Sequence, residues 1–113
     1  MAFIRKKTKV FPWNVTILSP SETKPSVMEE QKFVIKFKRL GRKELTAFDS
    51  LPEDEALETI VKGWEGFTEE DGTEIPFSKK TLLELADDLD FVTGVIAAYK
   101  EFYQGAEVNF FFF

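Results

Sequence analysis

The chain of 113 residues contains no cysteine and no histidine, which excludes disulfides, thiolate chemistry, sulfur-ligated metal and the side chain most used for proton transfer near neutral pH. Its net charge of −5 hides a split, because residues 1–43 carry 11 Lys/Arg against 3 Asp/Glu and residues 44–113 carry 4 against 17. This length makes one domain; no apolar run nears the roughly 20 residues that cross a bilayer, and the opening MAFIRKKTKV lacks the apolar stretch of a secretory signal, so a soluble intracellular protein is expected.

Residues 1–9 read as a flexible basic arm. Residues 9–18, KVFPWNVTIL, then alternate, with Phe11, Trp13, Val15 and Ile17 on one face and Pro12 pointing to an edge strand or a strand start. The polar, Pro/Ser-rich residues 19–31 read as a long loop. Residues 32–40, KFVIKFKRL, alternate again, placing Phe33, Ile35 and Phe37 opposite Lys36 and Lys38. Two such strands form an antiparallel hairpin, which alone is marginal in water and needs a cover.

Helices supply that cover. RKELTAF is expected to be short and to turn Leu45 and Phe48 inward. Residues 49–64 follow, with Asp49 or Ser50 as cap, Pro52 in the first turn, the acids Glu53, Asp54 and Glu55 at the positive end of the helix dipole, and Leu57, Ile60, Val61 and Trp64 at helical spacing. Residues 65–78 form a loop turning at Asp71-Gly72, and Ser78 caps the next helix. The longest helix carries the stripe Phe91, Val92, Val95, Ile96, Tyr99, Phe102 and Tyr103 and stops at Gly105. The expected fold is α+β: an N-terminal antiparallel β-hairpin packed against three or four α-helices, helix in the majority. One domain spans residues 10–109, and residues 110–113 form an aromatic tail.

The acids present no metal site. Glu69, Glu70, Asp71 and Glu74 lack the alternation of an EF-hand loop, whose twelfth position counted from Asp71 is Leu82. Helix capping explains Asp87, Asp88 and Asp90. No carboxylate pair is singled out by spacing, and neither a nucleophile nor an oxyanion donor set accompanies one. The chain therefore reads as a non-enzyme without catalytic residues, cofactor or metal. Arg5, Lys6, Lys7 and Lys9, with Lys36, Lys38, Arg39, Arg42 and Lys43, give the alternative of a nucleic-acid-binding accessory protein. Against it, Phe33 and Phe37 lie across the strand from the lysines, and the acidic remainder repels phosphate. The same basic residues apart from Lys9 are candidates for self-association with the acidic part of another copy.

The chain closes on Phe110, Phe111, Phe112 and Phe113. A strand would send alternate rings to opposite faces, so a partner groove suits the run better than a core. Phenylalanine is also encoded only by UUU and UUC, so four in a row can mark a ribosomal slip site.

The stretches EEQKFVIKFKRLGRKEL, VKGWEGFTEEDGTEIPFSKKTLLEL and FVTGVIAAYKEFYQGAE resemble the tail assembly chaperones of long-tailed (siphovirus-type) bacteriophages. The similarity runs from about residue 15 to 107. It is most telling at Gly63-Trp64-Glu65-Gly66, Asp71-Gly72, Ile75-Pro76-Phe77-Ser78 and the final aromatic helix. It implies a protein of the host bacterial cytoplasm that binds the tape measure protein, keeps it soluble, and is absent from the mature virion. It also implies recruitment of tail tube protein, commonly by a longer form made through programmed frameshifting; separately, the opposite charges of the two parts can draw copies together head to tail into a ring or spiral. A structural tail subunit is a second alternative. Candidate contacts are Trp64, Phe67, Tyr99, Phe102, Tyr103 and Phe110 to Phe113.

Overall fold

The computed structural model describes the backbone of residues 9–112 and the side chains of residues 9–104. The chain order is β1 (Val10–Pro20), β2 (Met28–Lys38), α1 (Arg42–Phe48), α2 (Glu53–Ile60), β3 (Val61–Glu65), α3 (Lys79–Leu85) and α4 (Leu89–Phe112). The strands form one antiparallel sheet in the order β1-β2-β3, and α4 lies across β1. The fold is α+β. Helical residues outnumber strand residues but do not reach half of the chain, which corrects the expected helix majority.

The alternating strands place their apolar faces as read. Val15, Ile17, Phe33, Ile35 and Phe37 are buried, and Phe11 and Trp13 pack against them half-buried. From below come Phe48 of α1, Leu57 and Ile60 of α2, Leu82 of α3, and Phe91, Val92, Val95 and Tyr99 of α4. Burial of such side chains, about 1.5–3 kcal/mol each, is the main force holding helices to sheet.

The hairpin is longer than expected. Pairing continues through Leu18↔Glu30 to Pro20↔Met28, so the connection shrinks from residues 19–31 to residues 21–27. Beyond Ile17 both faces of the ribbon meet solvent, so backbone pairing goes on without the side-chain alternation that would betray it. The turn is held by Ser21, whose N–H donates to the Val27 carbonyl at 2.8 Å and whose Oγ accepts from the Lys24 N–H at 3.0 Å.

Bonds at the two ends of this ladder, from Arg39 N–H to the Lys9 carbonyl and from Ser21 N–H to the Val27 carbonyl, fix its phase. Odd-numbered residues of β1 exchange bonds with β2, and even-numbered ones turn N–H and C=O toward the outer edge. Pro12 and Pro20 are both even, so neither removes a ladder bond, and each takes an N–H away from an edge that has no other strand among the described residues.

Residues 61–64 correct the reading of one continuous helix. α2 ends at Ile60, and Val61 is already extended at φ −92°, ψ 119°. β3 then pairs with β2 through Val34↔Glu65, Ile35↔Trp64 and Lys36↔Gly63, with a bulge before Phe37↔Val61. Five residues are too few for a period of two to be told from a helical one, and β2 offers an edge that only a strand can satisfy. The cap is also corrected: Pro52 holds the N-cap of α2, while Asp49 is the C-cap of α1. The three acids Glu53, Asp54 and Glu55 fill the first turn of α2 as read.

α3 starts as expected, with Ser78 Oγ accepting the Thr81 N–H at 3.1 Å. Asp88 caps α4 by accepting the N–H groups of Asp90 and Phe91 at 3.0 and 3.1 Å. α4 does not stop at Gly105 but runs to Phe112. A helix-interior glycine costs only about 1 kcal/mol against alanine, which a long helix absorbs. Residues 110–112 thus continue a helix, and Phe113 lies outside the described residues, as does the basic arm up to residue 8.

Candidate partner-binding surfaces

The segment after β3 folds back on Trp64. Gly66 and Gly72 adopt φ +76° and +87°, conformations that L side chains rarely take, and Thr68 pairs with Glu74 across the turn at Gly72. Asp71 Oδ1 accepts the Thr73 N–H at 2.9 Å, and these Thr73 hydrogen bonds, the backbone one foremost, hold its exposed carboxyl below the ordinary carboxylate range. The return strand brings the Ile75 carbonyl to Trp64 Nε1–H at 2.7 Å and the Phe77 ring edge-on to the indole at 4.8 Å. Phe67 sits edge-on to Trp64 at 5.0 Å and stacks on Phe33 at 5.1 Å. Trp64 is buried, and Phe67 is half-buried with one edge toward solvent. Gly63–Gly66 and Ile75–Phe77 therefore meet around a single indole, and Asp71-Gly72 makes the exposed turn between them.

Tyr99 is fully buried, and its hydroxyl ties two segments together. It donates to the Lys38 carbonyl at 2.8 Å and accepts the Leu40 N–H at 3.3 Å, where the chain leaves β2. Burial, ahead of the weaker opposing hydrogen bond, raises its pKa above 10.0. Such a residue has no surface to offer a partner, and Trp64 has little. Phe102 and Tyr103, one turn on, are half-buried. Phe102 lies 4.4 Å from the Phe11 ring and 5.7 Å from Trp13, and Tyr103 is edge-on to Tyr99. The exposed parts of Phe11, Trp13 and Phe102 make an aromatic wall along the outer edge of the sheet. Phe11 and Trp13 read as core in the alternation. The signal for their exposure was Pro12 between them, which marks an edge.

The basic residues of β2 face away from the core and are paired within the chain. Lys36 Nζ lies 3.2 Å from Glu65, Lys38 lies 3.7 Å from Glu44, and Lys32 lies 3.8 Å from Glu30. All six side chains are well exposed, so each pair is worth about 0–1 kcal/mol. The pairing nonetheless lowers the positive potential that phosphate would meet. Arg39, Arg42 and Lys43 are exposed at the start of α1, while Arg5, Lys6 and Lys7 lie outside the described residues.

The turn between α1 and α2 and the flank of α4 leave an open groove of about 520 Å³. Phe48, Leu51, Val92 and Ile96 line it, with Ala97 at its lip. Asp49 and Glu53 stand on one side and Lys100 on the other. Sequence reading placed the stripe of α4 correctly but not this margin of it, because a groove depends on how α1 and α2 diverge. Among the described residues no polar or charged side chain is buried, no cluster of acids is set to hold a metal ion, and no helix is long and apolar enough to cross a membrane.

Comparison with protein-family models, with curated proteins and with solved structures finds no match.

Proposed function

We propose that the chain is a non-enzymatic tail assembly chaperone of a long-tailed bacteriophage, which binds the tape measure protein and keeps it soluble before the tail tube forms. The observation that carries this reading is the resemblance at Gly63-Trp64-Glu65-Gly66, Asp71-Gly72 and Ile75-Pro76-Phe77-Ser78. It is supported by the way Ile75 and Phe77 fold back on Trp64 across the Asp71-Gly72 turn, as expected of a pattern that encodes a structural unit. Half-buried aromatic rings along the sheet edge and an apolar groove beside α4 give a holdase surface on which helical segments can rest. On this reading the chain works in the host cytoplasm as a homo-oligomer, in a ring or spiral. It helps recruit tail tube protein, and a longer form arises by slippage at the codons for residues 110–113.

Co-expression with a tape measure protein tests the reading. The client is expected in the soluble fraction and co-purifying with the chain, and a client equally insoluble with and without it rejects the proposal. Intact-mass analysis of N-terminally tagged protein, made from the native gene with its downstream DNA, should show a minor longer product that diverges near residue 110. A single species ending at Phe113 removes the frameshift and leaves the chaperone role to the co-expression result.

A further inference from the structure

The groove beside α4 has a floor of one kind and walls of two. Leu51 and Ile96 are half-buried and Ala97 is exposed, so apolar surface faces water there. Asp49 and Glu53, at the end of α1 and the start of α2, make one wall negative, while Lys100 makes the facing wall positive. The size falls within the roughly 300–1,000 Å³ of small-molecule pockets. The lining, however, holds no buried polar group to orient a small polar ligand. A trough flanked by helices is instead shaped for the side chains of another helix. We propose that this groove binds an amphipathic helix of a protein partner, its apolar stripe on Leu51, Ile96 and Ala97, with basic residues along the flank facing Asp49 and Glu53 and acidic ones toward Lys100. The opposite charges set the direction in which the helix lies as well as its composition. That the partner is a client rests on the chaperone reading; the chemistry of the helix rests on the groove alone.

Two synthetic helices of about 20 residues, long enough to fold in isolation, test this against the full chain. One carries Lys on one flank and Glu on the other, and the second carries Glu on both flanks, since exchanging the flanks only reverses the direction in which a helix lies. Ala97→Trp fills the groove from an exposed position, and the double variant Asp49→Lys, Glu53→Lys reverses one wall; thermal unfolding confirms that both remain folded. The first helix is expected to bind wild type, with affinity lost by about tenfold or more in Ala97→Trp and preference moved toward the helix with Glu on both flanks in the double variant, whose two walls are both positive. Equal binding by Ala97→Trp, or no binding of either helix, overturns the proposal. So does loss of self-association in Ala97→Trp with peptide binding intact, which assigns the groove to a second copy. If Ala97→Trp still solubilises the tape measure protein, the client is gripped elsewhere, and the chaperone reading survives the loss of this site.

Discussion

Tyr99 joins several parts of the molecule, because its hydroxyl serves two backbone groups at the exit of β2 while its ring meets Phe37, Phe48 and Phe102. Replacing it with phenylalanine keeps the ring and leaves the Leu40 N–H and the Lys38 carbonyl without that partner. A loss of about 1–3 kcal/mol is expected in chemical denaturation, and a change below the error of the fit would mean that water takes over both bonds. The pH dependence has a definite sign. Since the folded-state pKa is raised above 10.0, folding favours the protonated phenol. The stability it contributes is complete below that value and is lost as pH rises through the folded pKa. Unfolding curves measured on the alkaline side should fall more steeply for wild type than for Tyr99→Phe. Parallel curves would place the titration elsewhere. The burial of Tyr99 was legible from its place in the α4 stripe. Its hydroxyl partners were not, because they lie about 60 residues away in sequence and no local pattern encodes them.

At the scale of the elements, α4 approaches β1 at a single small residue. A Cβ on Gly94 would stand 2.9 Å from the Thr16 carbonyl oxygen and 3.0 Å from Ile17 Cγ1. The first neighbour is backbone and cannot swing aside. Gly94→Ala should therefore lower stability by about 1–3 kcal/mol despite its gain in helix propensity. A more stable variant would show that α4 can lift off the strand without loss. The outer edge of β1 gives a second expectation. Pro12→Val adds an outward N–H and breaks no ladder bond, so stability should change by less than about 1 kcal/mol while self-association rises in sedimentation velocity. A large gain in stability would show that residue 12 faces β2 after all, because valine would then restore a ladder bond that proline cannot make. Strand and helix types were readable wherever one face met the core over a long run, as in residues 9–18 and in α4. They were unreadable where the run was short, as in Val61–Glu65, or where no core lay beneath it, as in Ser19–Pro20 and Met28–Gln31. The candidate site followed the same rule: the aromatic stripe could be listed from spacing, but which of its rings meet water depends on neighbours far along the chain.

For the whole molecule, the division between a basic first part and an acidic second part is partly settled internally, since Lys36 with Glu65 and Lys38 with Glu44 join the two. The proposed self-association would draw on the acids of α2 and of residues 69–74 and on the exposed Arg39, Arg42 and Lys43. Association of this origin should weaken between about 50 and 500 mM NaCl, because exposed charges are screened over about 8–10 Å at physiological strength. Oligomers of unchanged size across that range in sedimentation equilibrium would mean that apolar contacts hold them. The passage from α2 to β3 has a different kind of consequence. With Ile60 helical and Val61 already in the sheet, no residue between them is free to absorb a change in length. One inserted residue would turn every side chain of β3 to the opposite face, exchanging Trp64 for Glu65 beneath the sheet. Added length in residues 21–27 would raise closure entropy by only about 0.6 kcal/mol per doubling. A library of single-residue insertions should therefore survive at the tip of the hairpin and vanish at the helix–strand junction, so that the gene can drift in length at one place and is held to a fixed count at the other.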